Sequence, residues 1–456
     1  MHNVGRVVGC RLRQLATGSI NRRIFGATAI VAVATLAVAS TTVAREQFVA
    51  ASFGTSDALD AFLIAILLPQ IVNNVVAGSF NLAFVPTYVR VREGEGQDAA
   101  QRIFSSMLAI SIGLFALVTV LLAVAAPRLL PLLGFGFGTA KLLLTRQLFY
   151  LLLPIVVANG LLTIWASMLN AGERFALAAF APVVVPLCSV IALRGFGGAW
   201  GIRALAFGTV AGFALQCCLL GWALRRQGLR LWPRWYGLEP ALRRVLGQYL
   251  PIALSGALLS GMAVVDQVVA TGLGPGSVAA LSYGHKLSTL IIGISAAALG
   301  TAVLPYFSRM VAVGDWAGVR NTLKTYAGLI LLATVPLAGL LYLGSGPIVR
   351  LLFERGAFTA GDTALVARVQ AMYVLQIPVY TLNFFLFRLL SSLRSNRTLL
   401  WVSVIDAVAN VALDYLLART LGVAGIALAT TLVYLLSACL LGVISYRTLR
   451  RGGRTS

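Results

Sequence analysis

Residues 53–98 read FGTSDALDAFLIAILLPQIVNNVVAGSFNLAFVPTYVRVREGEGQD, a turn followed by a long apolar run. About 20 helical residues cross the hydrocarbon core of a bilayer, so the run predicts a membrane-spanning helix that begins near Asp57. Asp60, Asn73 and Asn74 lie inside this run. Because polar groups that face lipid cost several kcal/mol, we expect these side chains to face other helices or a wet cavity.

The composition is that of a membrane protein with many spans. Hydrophobic residues make up 59% of the 456 residues, charged residues make up 11%, and the mean hydropathy is +0.90. Such a chain cannot bury its apolar surface in one soluble core. The net charge of +22 is spread in short basic clusters between apolar runs. This pattern is typical of cytoplasmic loops, and we expect no nucleic-acid partner.

Apolar runs bounded by glycine, proline and charge predict twelve membrane spans. Their approximate bounds are 24–52, 57–89, 103–125, 144–170, 176–194, 200–223, 247–271, 277–307, 322–343, 363–390, 399–418 and 424–446. An N-terminus in the cytoplasm places the main basic clusters inside, which predicts that both termini are cytoplasmic. Polar segments precede, separate and follow the spans at 1–23, 225–246 and 447–456. The middle one is a basic linker with aromatic residues among its arginines, which is typical of a segment lying on the inner leaflet.

The two halves of the chain match at an offset of 219 to 224 residues. The matches, in order, are Glu46–Ala50 with Asp266–Ala270, Gly54 with Gly274, Pro86 with Pro305, Arg90 with Arg309, Arg174 with Arg397, and Gly201-Ile202 with Gly425-Ile426. Six matches in order predict an internal duplication of a six-helix bundle, at 24–224 and 247–446. Because six is an even number, the repeats are parallel, and transporters of this kind rock one bundle against the other around a central cavity.

Several ionisable residues fall within the predicted spans, and an intramembrane charge is a functional hypothesis by default. Arg45 and Glu46 lie near one end of the first span, where they either snorkel to the interface or face the cavity. Asp60 either caps its helix or is a functional carboxylate. Lys286 lies about 13 Å of helical rise into its span. Snorkelling from that depth is difficult, which favours a cation that faces the cavity.

Asp406, Asn410 and Asp414 recur at every fourth residue of the eleventh span, so they share one face of that helix. One polar residue would suffice for a helix contact, whereas two carboxylates and an amide favour hard oxygen ligands for a small cation. The five cysteines and two histidines show no metal-ligand spacing. We find no nucleophile with a positioned base and no phosphate-binding loop, which predicts neither an enzyme nor an ATP-driven motor.

Five segments carry a resemblance to a known family. They are REQFVAASFGTSDALDAF (45–62), GSFNLAFVP (78–86), ALGTAVLPYFSR (298–309), LFERGAFTAGDT (352–363) and GVAGIALATT (422–431). In these segments, and over nearly all of its length, the chain resembles the MurJ/MviN family of lipid II flippases. That family belongs to a superfamily, known as MOP, that also contains multidrug antiporters of the MATE type and oligosaccharide-lipid exporters. The resemblance implies an all-α fold whose cationic central cavity alternates between inward-open and outward-open states and receives the pyrophosphate of an undecaprenyl-linked sugar.

The resemblance also implies roles for individual positions. The positions that match the family's cavity residues are Arg45, Glu46, Asp60, Asn73, Asn74 and Lys286. The positions that match the family's sodium site are Asp266, Asn410, Asp414, Ile426 through its carbonyl group, and Thr430. The chain departs from the family pattern where Ala39, the Asn73-Asn74 pair and Thr289 replace charged residues. The family has fourteen helices, whereas we count twelve spans here.

The sequence therefore predicts a flippase of the bacterial cytoplasmic (inner) membrane, coupled to sodium or to the membrane potential. Its cargo is a polyprenyl-pyrophosphate-linked sugar, either lipid II or an exopolysaccharide repeat unit. The other partners we expect are membrane lipids and enzymes of cell-wall or polysaccharide synthesis, and sodium is the one cofactor considered. The alternatives are a multidrug antiporter, whose cavity should be acidic and aromatic, and a membrane scaffold that transports nothing.

Overall fold

The computed structural model describes residues 20–172, 174–237, 260–393 and 396–452. All regular elements in these residues are helices, which confirms the predicted all-α fold class. In chain order they are α1 (Ile20–Phe53), α2 (Asp57–Val72), a π-helical turn (Asn73–Ala77), α3 (Gly78–Glu95), α4 (Gln97–Leu133), α5 (Thr139–Leu152), α6 (Pro154–Ala171), α7 (Phe175–Phe180), a 3-10 turn (Ala181–Val183), α8 (Val184–Trp200), α9 (Ile202–Arg226), α10 (described over 260–271), α11 (Ser277–Ala312), α12 (Trp316–Leu343), α13 (Ser345–Phe353), α14 (Ala360–Val374), α15 (Gln376–Ser392), α16 (Asn396–Leu421) and α17 (Val423–Gly452).

Ten helical segments within the described residues are long and apolar enough to cross a membrane. They coincide in order with the first six and the last four predicted spans. The predicted span at 247–271 lies largely outside the described residues. The predicted span at 277–307 is a helix in the structure, where it forms most of α11.

A break in the fourth span of each half repeats at the same position. Leu153 separates α5 from α6, and Leu375 separates α14 from α15. Prolines explain the breaks, since Pro154 and Pro378 follow closely and lack the backbone N–H that a continuous helix requires. The two breaks are 222 residues apart, within the offset of the predicted duplication.

One of the six predicted matches between the halves needs correction. The sequence pairs Gly201 with Gly425, but the structural equivalent of Gly201 is Gly422. Both of these glycines have a positive φ, 52° and 60°, which residues with a side chain rarely adopt. In each case the glycine N–H donates to the carbonyl four residues before it, and the glycine carbonyl accepts from the N–H three residues after it.

The chain forms two compact units. The first contains α1 up to Phe48, Ala65–Pro127 and the described residues from Arg146 to the end of α9. The second contains Val49–Ile64, Arg128–Thr145 and the described residues from 260 onward. Two segments of the N-terminal half therefore pack with the C-terminal half. The predicted bundles at 24–224 and 247–446 did not anticipate this arrangement.

Each unit has its own apolar core. In the first unit, α3, α4, α6 and α9 enclose fully buried side chains such as Phe104, Met107 and Leu224. In the second unit, the rings of Phe307 of α11 and Phe385 of α15 are in tilted contact, with centroids 5.5 Å apart, beside the buried Val319 of α12. These cores hold the helices that carry the polar residues described below.

Candidate functional site

Four turns of the second unit contact one another, and we call them the four-turn cluster. They join α1 to α2, α4 to α5, α10 to α11, and α13 to α14. The α1–α2 turn is bound to the α13–α14 turn by the Ala357 N–H, which donates to the Ala51 carbonyl at 2.8 Å, and by the Thr55 hydroxyl, which donates to Asp362. The end of α10 lies against the end of α4, where the Thr271 hydroxyl, which donates to the Val268 carbonyl at 2.7 Å, lies 3.4 Å from the Leu133 carbonyl.

Two glycine contacts in the four-turn cluster are equivalent in the two halves. Gly136 lies against the carbonyl oxygen of Thr271, and Gly356 lies against the carbonyl oxygen of Ala51, each so closely that a Cβ atom would collide with the oxygen. Gly136 and Gly356 are 220 residues apart, and so are Ala51 and Thr271. The duplication found in the sequence is therefore reproduced in the contacts of the second unit.

Asp60 links α2 to α11 inside this cluster. Its carboxylate is fully buried, with Oδ1 accepting from the Ala279 N–H and Oδ2 from the Gly276 N–H, both at 2.8 Å. These two donors lie at the start of α11, where unpaired N–H groups and the helix dipole favour a negative charge. Both oxygens of Asp60 thus have protein partners, while its predicted contact with substrate stays a prediction.

Lys141, at the start of α5, completes this arrangement and was not singled out from the sequence. Its Nζ lies 2.8 Å from Asp60 Oδ2 and 2.5 Å from Asp57 Oδ1. A cavity of about 740 Å³ opens beside Lys141 and Asp57. The sequence did contain a signal for a special role of Lys141, because it is one of only three lysines in the chain. The distribution of basic residues among the loops nevertheless suggested that Lys141 is an ordinary loop residue.

A second polar cluster lies among α10, α16 and α17. Asn410 donates from Nδ2 to Asp266 Oδ1 at 3.0 Å, and the Thr430 hydroxyl lies 3.3 Å from Asp266 Oδ2. The same hydroxyl lies 3.1 Å from the carbonyl oxygen of Ile426, so its single proton has two acceptors within reach. Asp414 is fully buried beside Asp266. The structure therefore brings together all five residues predicted for a sodium site.

The donor atoms of this cluster fit a small cation. Neither oxygen of Asp414 receives a hydrogen bond from the described residues, and neither does Oδ1 of Asn410, although all three atoms are buried. Carboxylate, amide, hydroxyl and carbonyl oxygens are the ligands that hard cations prefer. No group of three or more His, Cys, Asp or Glu side chains that could hold a metal occurs in the described part of the chain. The cluster therefore offers oxygen donors alone, from two carboxylates, an amide, a hydroxyl and a carbonyl group.

Asp406, on the same stripe of α16, lies outside this cluster. It is half-buried one turn before Asn410 and faces Ser437 of α17. Its Oδ1 is buried without a hydrogen-bond partner among the described residues. The three residues of the predicted stripe thus share one face of α16. Only Asn410 and Asp414 lie beside Asp266.

Arg45 and Glu46 form an ion pair on α1, in the first unit. Arg45 Nη1 lies 3.0 Å from Glu46 Oε1, and the two side chains are 17% and 12% exposed. Side chains that snorkel to the interface would be more open to solvent, so this burial favours the interpretation that they serve the protein interior. Arg45 also keeps its buried Nε without a hydrogen-bond partner in the described structure.

Asn73 and Asn74 begin the π-helical turn between α2 and α3. Asn73 is 6% exposed, and neither its Oδ1 nor its Nδ2 has a hydrogen-bond partner among the described residues. Asn74 is exposed. Turns of this type inside α-helices occur frequently at functional sites, because the extra residue redirects side chains. Lys286, the remaining predicted cavity residue, is half-buried on α11.

The sequence as a whole matches a known family. The family model described as lipid II flippase MurJ matches residues 49–454. A probable lipid II flippase MurJ of Rhizobium tropici is 30% identical over 416 residues, which cover 89% of this chain and 77% of that protein. A probable lipid II flippase MurJ of a Synechocystis species is 28% identical over 437 residues, which cover 92% and 81%.

Solved structures show the same fold. A structure of a lipid II flippase MurJ in an inward closed conformation aligns with a TM-score of 0.77 at 23% identity, covering 90% of this chain and 86% of that one. An inward-facing multidrug resistance transporter of the MATE family, in the MOP superfamily, aligns with a TM-score of 0.77 at 13% identity and covers 93% and 99%. The fold is therefore common to both groups, and the sequence match distinguishes between them. By that match, which includes most of the residues described above, the chain belongs to the lipid II flippase MurJ family.

Proposed function

We propose that this chain is a flippase that moves a polyprenyl-pyrophosphate-linked sugar from the inner to the outer face of a bacterial cytoplasmic membrane. The observation that carries the proposal is the family match over residues 49–454. The relatives that cover most of the chain are named as lipid II flippases, so lipid II is the first candidate cargo. Flippases are transporters and not enzymes, which agrees with the prediction from the sequence.

Arg45 and Lys286 are the membrane-embedded cations that we assign to the diphosphate of the cargo. A buried cation attracts a phosphate more strongly than an exposed one, because the low dielectric of the interior weakens the attraction less than water does. Glu46 orients the guanidinium of Arg45 through their contact at 3.0 Å. The amide of Asn73, which has no hydrogen-bond partner in the described part of the chain, offers a donor and an acceptor for a sugar or a phosphate. A diphosphate carrier needs this mixture of fixed charge and neutral polar groups.

Asp266, Asn410, Asp414, Thr430 and the Ile426 carbonyl are the residues that would hold sodium. When bound, the ion supplies positive charge that offsets the two buried carboxylates. Asp266 itself joins α10 to α16 and α17 through its hydrogen bonds to Asn410 and Thr430. A ligand shifts a conformational balance only when it binds one state better than the other. Sodium binding would therefore favour the conformation in which α10 and α16 are close enough to share the ion, and the ion gradient would act on transport in this way.

The orientation in the membrane follows from charge. Basic clusters flank the predicted cytoplasmic ends of the spans, so both termini lie in the cytoplasm. In this orientation, a flippase that moves an undecaprenyl-linked glycan outward loads it on the side where the termini lie. Enzymes that build and polymerise that glycan are the partners that we expect on the two faces of the membrane.

Proteoliposomes test this proposal with fluorescent lipid II and, in a separate arm, a lipid-linked exopolysaccharide repeat unit. Lys286→Ala should lower the initial rate of flipping by about tenfold or more, since a charge-assisted hydrogen bond is worth about 1.5–3 kcal/mol. The matched control is Lys324→Ala, because Lys324 is an exposed lysine on α12. If the Lys286→Ala variant flips both cargoes at the rate of the unchanged chain, the proposal is wrong. Faster efflux of cationic dyes by Lys286→Glu would instead favour the antiporter.

A further inference from the structure

The chain that follows α9 lies along α4 as an extended strap, residues 227–237. Gln101 of α4 donates from Nε2 to the Arg230 carbonyl at 2.9 Å and accepts from the Arg230 N–H at 3.2 Å. Ser105 and Ser106, one turn further along α4, contact the backbone of the strap at 3.4 and 3.2 Å. The backbone of the strap is therefore held by side chains of α4, and not by the backbone hydrogen bonds of a helix or a sheet.

The first half of the strap, residues 227–231, alternates between half-buried and exposed positions, and residues 232–236 are all exposed. Leu229 and Leu231 are partly buried against the apolar core of the first unit. The intervening Arg230 is exposed, and so are the aromatic residues that follow. The exposed fractions are 76% for Trp232, 55% for Trp235 and 45% for Tyr236. Large aromatic side chains are seldom left in water at this level without a partner.

The charge of this surface has one sign. Residues 225–237 contain four arginines and no acidic residue. The four are Arg225, Arg226, Arg230 and Arg234, and all are exposed. On α9, just before the strap, the guanidinium of Arg226 lies 3.9 Å from the centre of the Trp222 ring. The exposed acidic residues near the start of α4 are Glu93, Glu95 and Asp98. Glu93 and Glu95 lie in the last turn of α3 and Asp98 lies in the first turn of α4, whereas the strap itself contains no acidic residue.

We propose that the strap is a docking surface for the anionic phospholipid headgroups of the inner leaflet of the membrane. Tryptophan and tyrosine rings prefer the headgroup level, where an apolar ring and a polar edge are both satisfied. Arginines beside them are attracted to anionic lipid over zwitterionic lipid. Because α4 fixes the strap backbone, the rings and guanidinium groups are presented to the lipid without a large cost in ordering. This inference concerns a surface outside the transport residues and does not depend on which sugar is carried.

Tryptophan quenching in nanodiscs tests the proposal with the full-length chain. Brominated phosphatidylglycerol or brominated phosphatidylcholine is added at equal mole fraction, and the strap signal is the difference between the unchanged chain and Trp232→Phe/Trp235→Phe. We expect phosphatidylglycerol to quench this signal more. Arg230→Gln/Arg234→Gln should reduce that preference by about fivefold for each arginine removed, until it approaches unity. The substitution leaves the hydrogen bonds to Gln101 intact, because they involve the Arg230 backbone.

The matched control is Arg128→Gln/Arg419→Gln, which removes two exposed arginines near the ends of α4 and α16. It should leave the preference of the strap signal unchanged. Equal quenching by the two lipids in the unchanged chain would overturn the proposal, as would an absence of quenching by either lipid. An equal loss of preference in the control variant would also overturn it, since the effect would then reflect total charge and not the strap.

Discussion

Lys141 Nζ lies 2.8 Å from Oδ2 of Asp60, and the carboxylate in this ion pair is completely buried. The pair connects the starts of α5 and α2, and the same carboxylate binds the first N–H groups of α11. One acidic side chain thus joins two segments of the N-terminal half to the C-terminal half within the second unit. Charge, helix dipole and hydrogen bonding act together at this point.

Removal of Lys141 should destabilise the second unit. In Lys141→Ala the buried Asp60 carboxylate loses its counter-charge and keeps only two backbone donors, so we expect a loss of about 3 kcal/mol in the free energy of unfolding. Thermal unfolding of the purified protein in detergent measures the effect. Lys324→Ala is the control, since Lys324 is exposed. Equal stability of the two variants would show that the ion pair contributes nothing.

An added methyl group should weaken both of the equivalent glycine contacts. Gly136→Ala and Gly356→Ala each place a Cβ against a backbone carbonyl, which forces the turns apart at a cost of about 1–3 kcal/mol. Gly356 also has a φ of 60°, so its variant should be the more damaging. Hydrogen exchange at the Ala357 N–H, which binds the Ala51 carbonyl, reports the opening.

Gly138→Ala provides the comparison for these variants, because a Cβ at Gly138 meets open space and the residue lies in the same turn as Gly136. It should leave hydrogen exchange at Ala357 unchanged. If all three variants exchange at the same rate, close approach of the turns is not what excludes a side chain there.

Local patterns predicted the helices well, because a membrane span needs about 20 apolar residues and little else. The breaks at Leu153 and Leu375 were not predicted, since each lies inside a continuous apolar run and only Pro154 and Pro378 signal it. The match of Gly201 was misplaced by three residues because two glycines, at 422 and 425, compete for it. Only the backbone hydrogen bonds distinguish between them.

How well a polar site could be predicted depended on how far apart in the sequence its residues lie. The spacing of Asn410 and Asp414 is local, so the periodicity of the sequence is enough to place them on one face of a helix. The pairing of Lys141 with Asp60 joins residues 81 apart in sequence, and no local pattern records it. Asn73 was predicted as a polar residue inside a span, but the π-helical turn that it begins was not predicted, because the sequence pattern there is that of a continuous helix.

Sodium should stabilise the chain through the cluster around Asp266. We expect sodium chloride to raise the unfolding temperature relative to choline chloride, since a ligand at 100 times its dissociation constant adds about 2.7 kcal/mol. Asp414→Asn should abolish this difference, because it removes the charge of the fully buried carboxylate beside Asp266. Asp406→Asn, on the same stripe but outside the cluster, should retain it. A sodium effect that survives in Asp414→Asn would exclude this cluster as the site.

A substitution of Asn73 should affect the rate of transport and the stability of the protein in different ways. Its buried amide has no hydrogen-bond partner among the described residues, so Asn73→Leu removes an unsatisfied polar group and should leave the unfolding temperature unchanged or higher. If Asn73 binds the cargo, the same variant should flip lipid II several-fold more slowly in proteoliposomes. Asn74→Leu, at the exposed neighbouring position, should change the rate less. A stable Asn73→Leu variant with an unchanged rate would remove Asn73 from the substrate site and leave Arg45 and Lys286 as its assigned residues.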